Sequence, residues 1–345
     1  MRFRIVLFNA IFFLILLLFT ELLLRLTLTF YGYSFIKPSE YLYSGFYTNM
    51  KDIVQKEIRN DDAIIDILIL GGSVVSTPWS NLEFRLDTIL RKHYNNNERF
   101  AFYNIAAAGH TSLDNALKYK LLSKQRFDLV IYYEAINDNR ANNINENAYF
   151  DDYSHIIWYD DIIRLLTHSE INITVIPFII DKLSHKLADI IHKKTYISQE
   201  KVDHKFASFG AKIKTKYSFQ KNLLSIISMA KSRSDRLLLL TYASYFPNNF
   251  KLTGQEKDMK YFAGCKFASP VTIWGKPENV KMGIREHNKV IRKLVKENSV
   301  LFFDMENKMP KDSSLFCDVC HVSEAGAQKF SHLLAQYIID SKIFE

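Results

Sequence analysis

Ile65-Asp66-Ile67-Leu68-Ile69-Leu70 runs directly into Gly71-Gly72-Ser73-Val74-Val75. A short apolar run closed by glycines reads as a strand buried on both faces and ending in a sharp turn, here one that presents a serine. Working outward, the same kind of run recurs at Phe100–Ile105, Leu129–Tyr133, Ile173–Ile179, Leu237–Thr241 and Val300–Phe303. Amphipathic stretches lie near residues 81–93, 112–124, 217–231, 284–297 and 323–340, and read as helices. Strand alternating with helix predicts an α/β fold with a mainly parallel sheet, whose reactive loops gather at the carboxyl ends of the strands.

The chain has 345 residues, 48% of them hydrophobic and 24% charged, which excludes a mainly disordered chain. Lys and Arg number 45 against 37 Asp and Glu, so the formal charge is 45 − 37 = +8 and by itself names no partner. Three cysteines cannot form a disulfide framework, so apolar burial must hold the core. Upstream, Ile5–Leu24 is interrupted only by Asn9, Thr20 and Glu21, which is the length a helix needs to cross a hydrocarbon layer. The run lacks the small-residue cleavage site of a signal peptide. Residues 1–29 therefore read as a transmembrane anchor, 30–62 as a connector and 63–345 as the main domain. Arg2 and Arg4 before the span favour a cytoplasmic N-terminus, which places the main domain outside the cytoplasmic membrane.

The serine turn matches neither phosphate motif. A P-loop needs Gly-Lys-Ser or Gly-Lys-Thr, and a dinucleotide fingerprint needs a third spaced glycine. The G-x-S-x-G elbow is absent as well, because Val75 occupies the second glycine position. What the two glycines offer is backbone freedom and close approach of a substrate to the main chain. The second strand ends in Asn104-Ile105-Ala106-Ala107-Ala108-Gly109-His110, and the third in Glu134-Ala135-Ile136-Asn137-Asp138. A glycine N–H and an asparagine amide are donors suited to an oxyanion, since they add no charge. Near the end, Cys317-Asp318-Val319-Cys320-His321-Val322-Ser323 leads into an amphipathic stretch. At a helix entrance, a spacing of three puts Asp318 and His321 on one side, where a carboxylate can orient an imidazole that accepts a serine proton.

These four pieces, in this order, resemble the SGNH/GDSL hydrolase family over about residues 64–340. The resemblance implies a flavodoxin-like three-layer α/β/α sandwich around a five-stranded parallel sheet. It also implies Ser73 as nucleophile, Asp318 and His321 as the rest of a triad, and the Ser73 N–H, Gly109 and Asn137 as the oxyanion hole. No metal or cofactor is required. Gly71-Gly72-Ser73 departs from the family's Gly-Asp-Ser, but the missing aspartate is not a triad member. The expected activity is that of a membrane-anchored serine esterase or deacylase that hydrolyses or transfers an O-acyl group, acetyl foremost, on an envelope glycan or lipid. The rival is a silent accessory protein whose pocket binds an envelope polysaccharide or another protein.

Other features weigh on this reading. Cys317-Asp318-Val319-Cys320-His321 also spells C-x-x-C-H, the haem-attachment pattern, which would claim His321 for iron. In an oxidising compartment, Cys265 can pair with Cys317 or with Cys320. Asp304, ending the last strand run, is the competing triad acid, and Asp318 is preferred. For Trp79 and Trp274, core packing is preferred to a pocket lining. Between Lys182 and Lys221 stand ten Lys and three acids, Asp189, Glu200 and Asp203, a balance of 10 − 3 = +7. That basic stretch reads as a solvated insertion, with an anionic lipid or glycan as its alternative partner and nucleic acid excluded.

Overall fold

Five of the six apolar runs form strands, all parallel, in one sheet of order β2-β1-β3-β4-β5. The computed structural model describes the chain apart from Met1 and residues 60–62, 95–98, 248–251, 253–262, 264 and 266–267. The last three residues of the expected connector thus lie outside the described residues. In chain order, the longer described elements are α1 (Arg2–Phe30), β1 (Ile64–Gly71), α2 (Leu82–His93), β2 (Arg99–Asn104), α3 (Ser112–Leu121), β3 (Leu129–Tyr133), α4 (Ile157–Thr167), α5 (Ile176–His192), α6 (Thr215–Arg233), β4 (Arg236–Leu240), α7 (Pro277–Asn298), β5 (Leu301–Phe303) and α8 (Glu324–Asp340).

The strand order explains where the helices go. The step from β1 to β2 runs one way across the sheet, and the steps from β2 through β5 run the other way. Crossovers between parallel strands are right-handed, so α2 falls on one face and α3, α6 and α7 on the other. Packing agrees: α3 and α7 both lie against α6, while α8 returns to pack on α2. This is the three-layer α/β/α arrangement. Covered on both sides, the central strands are buried almost throughout, as Ile67–Leu70, Leu129–Tyr133 and Leu237–Leu240 show. The order reverses between β1 and β3, and a crevice opens at such a switch point beyond the strand ends. The turns after Gly71 and after Tyr133 border that crevice.

Ile173–Ile179 is not a strand. Its second half opens α5, with Pro177 in the first turn, where a missing N–H breaks no helical bond. The Glu21 carboxylate accepts the Val175 N–H at 3.0 Å and the Thr174 hydroxyl at 2.8 Å, which caps the helix from a distant part of the chain.

The described chain forms two compact units, residues 1–52 with 157–196, and residues 53–156 with 197–345. The first holds α1, a 29-residue helix long and apolar enough to cross a membrane, together with α4 and α5. The second holds the sheet. The basic stretch Lys182–Lys221 divides between them, after Tyr196.

Candidate active site

The turn after β1 is tight because its neighbours leave no room for side chains. A Cβ on Gly71 would sit 2.6 Å from the Tyr133 carbonyl oxygen, and one on Gly72 would sit 1.9 Å from Glu134 Oε2. Gly72 itself has ordinary extended angles, φ −95° and ψ −159°. The glycines here are thus demanded by space, not by unusual backbone angles as the sequence suggested. Angle does matter at Gly109, whose φ of +79° lies in the left-handed region.

Ser73 is buried, and its Oγ lies 2.7 Å from His321 Nε2. On the far side of the ring, His321 Nδ1 lies 2.7 Å from Asp318 Oδ2. With its proton on Nδ1, the imidazole donates to the carboxylate and accepts from the serine hydroxyl. Asp318 is held by more than its histidine. Its Oδ1 accepts the N–H groups of Cys320 and His321, at 2.9 and 2.8 Å, and its Oδ2 accepts the Ser269 N–H at 2.6 Å. Burial alone would push this carboxyl up, but the electrostatic pull and hydrogen bonds of His321 and the Cys320 N–H hold it below the usual range, so it stays ionised.

The spacing of Asp318 and His321 works differently from the helix-entrance expectation. Helix α8 begins only at Glu324, capped by the Ser323 hydroxyl, which accepts the Gly326 N–H. The two residues sit in the preceding loop, and the carboxylate's own bonds to the loop N–H groups bring the imidazole onto it. A disulfide between Cys265 and Cys317 and a bond from the Cys317 N–H to the His321 carbonyl close that loop. The pairing left open by the sequence is therefore Cys265 with Cys317, and Cys320 is a buried free thiol. With Cys317 so bound, and His321 facing Ser73, the C-x-x-C-H reading has lost both its thiol pair and its ligand.

Gly109 and Asn137 come to the same place. The segment after β2 follows the end of β1, with the Ala107 N–H donating to the Gly71 carbonyl. Asn137 Nδ2 donates to the His110 carbonyl at 3.0 Å and would lie 2.8 Å from a Cβ on Gly72. The N–H groups of Ser73 and Gly109 donate to no acceptor among the described residues. Asn137 is different. Its Nδ2 also gives a bond to Glu134 Oε2 at 3.1 Å, and its Oδ1 accepts from Trp274 Nε1 at 2.9 Å. Both amide hydrogens are thus engaged, so donation to an oxyanion requires one of them to change partner.

Sequence reasoning missed the groups around this core. Trp79 stacks on His321, ring centroids 3.8 Å apart, and also lines a cleft of about 540 Å³ with Pro78, Cys265, Val322 and Glu324. Trp274 is buried and fixes Asn137. Both tryptophans were flagged by their position, but nothing local marks which ring touches the histidine. Glu134 stands in the quoted third block without a role; its Oε1 accepts the Asn137 N–H at 2.7 Å. Asp304 lies elsewhere, bound to Arg292 and Thr241. A larger concavity of about 620 Å³, lined by Tyr245, Phe246, Lys281 and Arg285 among others, includes none of the three residues of the relay.

Asp318, Cys320 and His321 also bring potential metal-ligand atoms within 4.8 Å of one another. Burial, with the Asp318 charge beside it, pushes the Cys320 thiol well up and keeps it neutral. The carboxylate and imidazole already satisfy each other. The set fits a proton relay better than a cation.

No protein-family model matches the chain, and no curated protein sequence matches it significantly. Among solved structures, it is similar to a GDSL-like lipase from Parabacteroides merdae, with 10% identity, a TM-score of 0.46, and 84% of this chain and 100% of that one covered. A GDSL-like lipase from Bacteroides thetaiotaomicron gives 13% identity and a TM-score of 0.44, covering 86% and 98% of the two chains. An acetylxylan esterase from Geobacillus stearothermophilus gives 14% and 0.43, covering 82% and 96%.

Proposed function

We propose that the chain is a membrane-anchored serine esterase of SGNH type that removes or transfers an O-acyl group, such as acetyl, on an envelope glycan or lipid. The observation that carries this reading is the pair of 2.7 Å contacts linking Ser73 Oγ to His321 and His321 to Asp318. Ser73 attacks the ester carbonyl while its proton passes to His321 Nε2, and the imidazolium is stabilised by Asp318. The oxyanion meets the N–H groups of Ser73 and Gly109, with Asn137 beside them. His321 then protonates the departing alcohol, leaving an acyl-serine. Water, or a sugar hydroxyl in the transfer reaction, gives its proton to His321 and attacks the acyl carbon; as the bond to Ser73 breaks, His321 returns that proton to Ser73 Oγ and the acid, or the new ester, leaves.

The length and exposed apolar surface of α1 support anchoring, and Arg2 and Arg4, before its apolar run, support an N-terminus inside the cytoplasmic membrane with the sheet domain outside. The lysines of Lys182–Lys221 support an anionic lipid or glycan as a neighbour. A second reading, a pocket that binds without turnover, draws on the engaged amide of Asn137. Hydrolysis of a chromogenic acetate ester separates the two. The esterase reading expects turnover that Ser73→Ala lowers by about 10⁴-fold or more. Equal rates in both proteins would leave the binding reading.

A further inference from the structure

Within the unit that contains α1, helix α5 is built inside out. Asp181, His185 and Asp189 face protein: Arg164 of α4 donates to Asp181 at 2.7 Å, His185 lies 3.3 Å from Asp160 of α4, and the Tyr196 hydroxyl donates to Asp189 at 2.7 Å. Phe178 is buried, but five other apolar residues face out. Ile180, Leu183, Leu187, Ile190 and Ile191 follow one another at helical spacing along a single stripe, each 60–71% exposed. A surface helix in water carries the opposite pattern.

What covers this stripe follows from how α5 is attached. Besides the Glu21 bonds to Thr174 and Val175, just before its first turn, the Arg25 guanidinium donates to the carbonyls of Asn172 and Ile173, at 3.1 Å each. Glu21 and Arg25 stand where the apolar run of α1 ends, so α5 starts at the depth at which that run gives way to polar sequence. Phe30 and Tyr31, at the same end of α1, are exposed aromatic residues of the kind that mark a membrane–water boundary. Lys186 and Lys193, both exposed, flank the stripe with positive charge. An exposed apolar stripe, a basic margin and a start at the end of a membrane span together describe a helix lying in the bilayer interface.

We propose that α5 lies in the headgroup region of the bilayer crossed by α1, with this stripe sunk among the upper acyl chains of an anionic leaflet. The proposal rests on α1 being a span, and the test separates the two claims. The full chain is reconstituted into bilayers of phosphatidylcholine and phosphatidylglycerol, with and without bromine on the acyl chains. Leu187→Trp reports on α5 and Phe12→Trp on the middle of α1, each read after subtraction of the parent's emission. The expected result is that lipids brominated near the headgroup quench the Leu187→Trp signal roughly twofold or more, while lipids brominated deep in the chain quench Phe12→Trp. Quenching of Phe12→Trp alone overturns the placement of α5 and leaves the span intact. Quenching of neither removes the span and the proposal with it. A Leu187→Trp ring shielded from aqueous iodide yet untouched by bromine would mean that protein covers the stripe, and would also overturn the proposal.

Discussion

Glu134 holds Asn137 through two hydrogen bonds, and its own protonation has a measurable consequence. Its buried carboxyl is pushed up to about 8 by burial, with the Asn137 N–H opposing and the Asp138 charge adding. The fold therefore favours the protonated acid. That contribution to stability is complete below the ordinary value of 4.5 and is lost as pH rises through about 8. Glu134→Gln, which cannot ionise, should gain on the parent by roughly 2–4 kcal/mol between about pH 5 and about pH 9. Thermal unfolding of both proteins across that range checks it; parallel profiles would mean that Glu134 is ionised throughout. The types of the relay residues were legible in the sequence, because Asp318 and His321 are close in the chain and Ser73 follows a strand. The grip on Asn137 was not: Trp274 lies 137 residues further along the chain and suits an ordinary core equally well, and Glu134, although only three residues before Asn137, carries no local signal that its carboxyl is buried.

At the level of elements, continuous apolar runs identified the five strands, since a parallel sheet covered on both faces needs no polar alternation. The same signal failed at Ile173–Ile179. A run of β-branched residues there has the composition of a strand, and the group that makes it a helix start is Glu21, 154 residues earlier. The loop before α8 was likewise read with the right residues and the wrong cause. Its geometry depends on the Cys265–Cys317 bridge, with a sequence separation of 52, and on the Ser269 N–H that binds Asp318. Replacing Cys265 by alanine should lower stability by about 2–4 kcal/mol. It should also reduce kcat, because the segment that supports Asp318 is released. Reductant should bring the parent to the variant's level and leave the variant unchanged; denaturation curves and ester turnover, each with and without reductant, measure both effects.

Across the whole molecule, composition gave a globular chain with one apolar segment and could not show how the segments divide. The described chain forms one unit around α1, α4 and α5 and another around the sheet, and the basic stretch is shared between them. No sequence window marks a unit assembled from residues 1–52 and 157–196, because its parts are joined only by folding. The proposed chemistry belongs to Ser73, Asp318 and His321, all in the second unit, on loops that follow the sheet strands. The direct measurement there is covalent labelling of the full chain with a fluorophosphonate, read by intact mass and peptide mapping. The account predicts a single adduct on Ser73 that forms at least about 10²-fold more slowly in His321→Ala, since the imidazole is what makes the hydroxyl nucleophilic. An adduct on another residue, or equal labelling of Ser73 with and without the histidine, would contradict it.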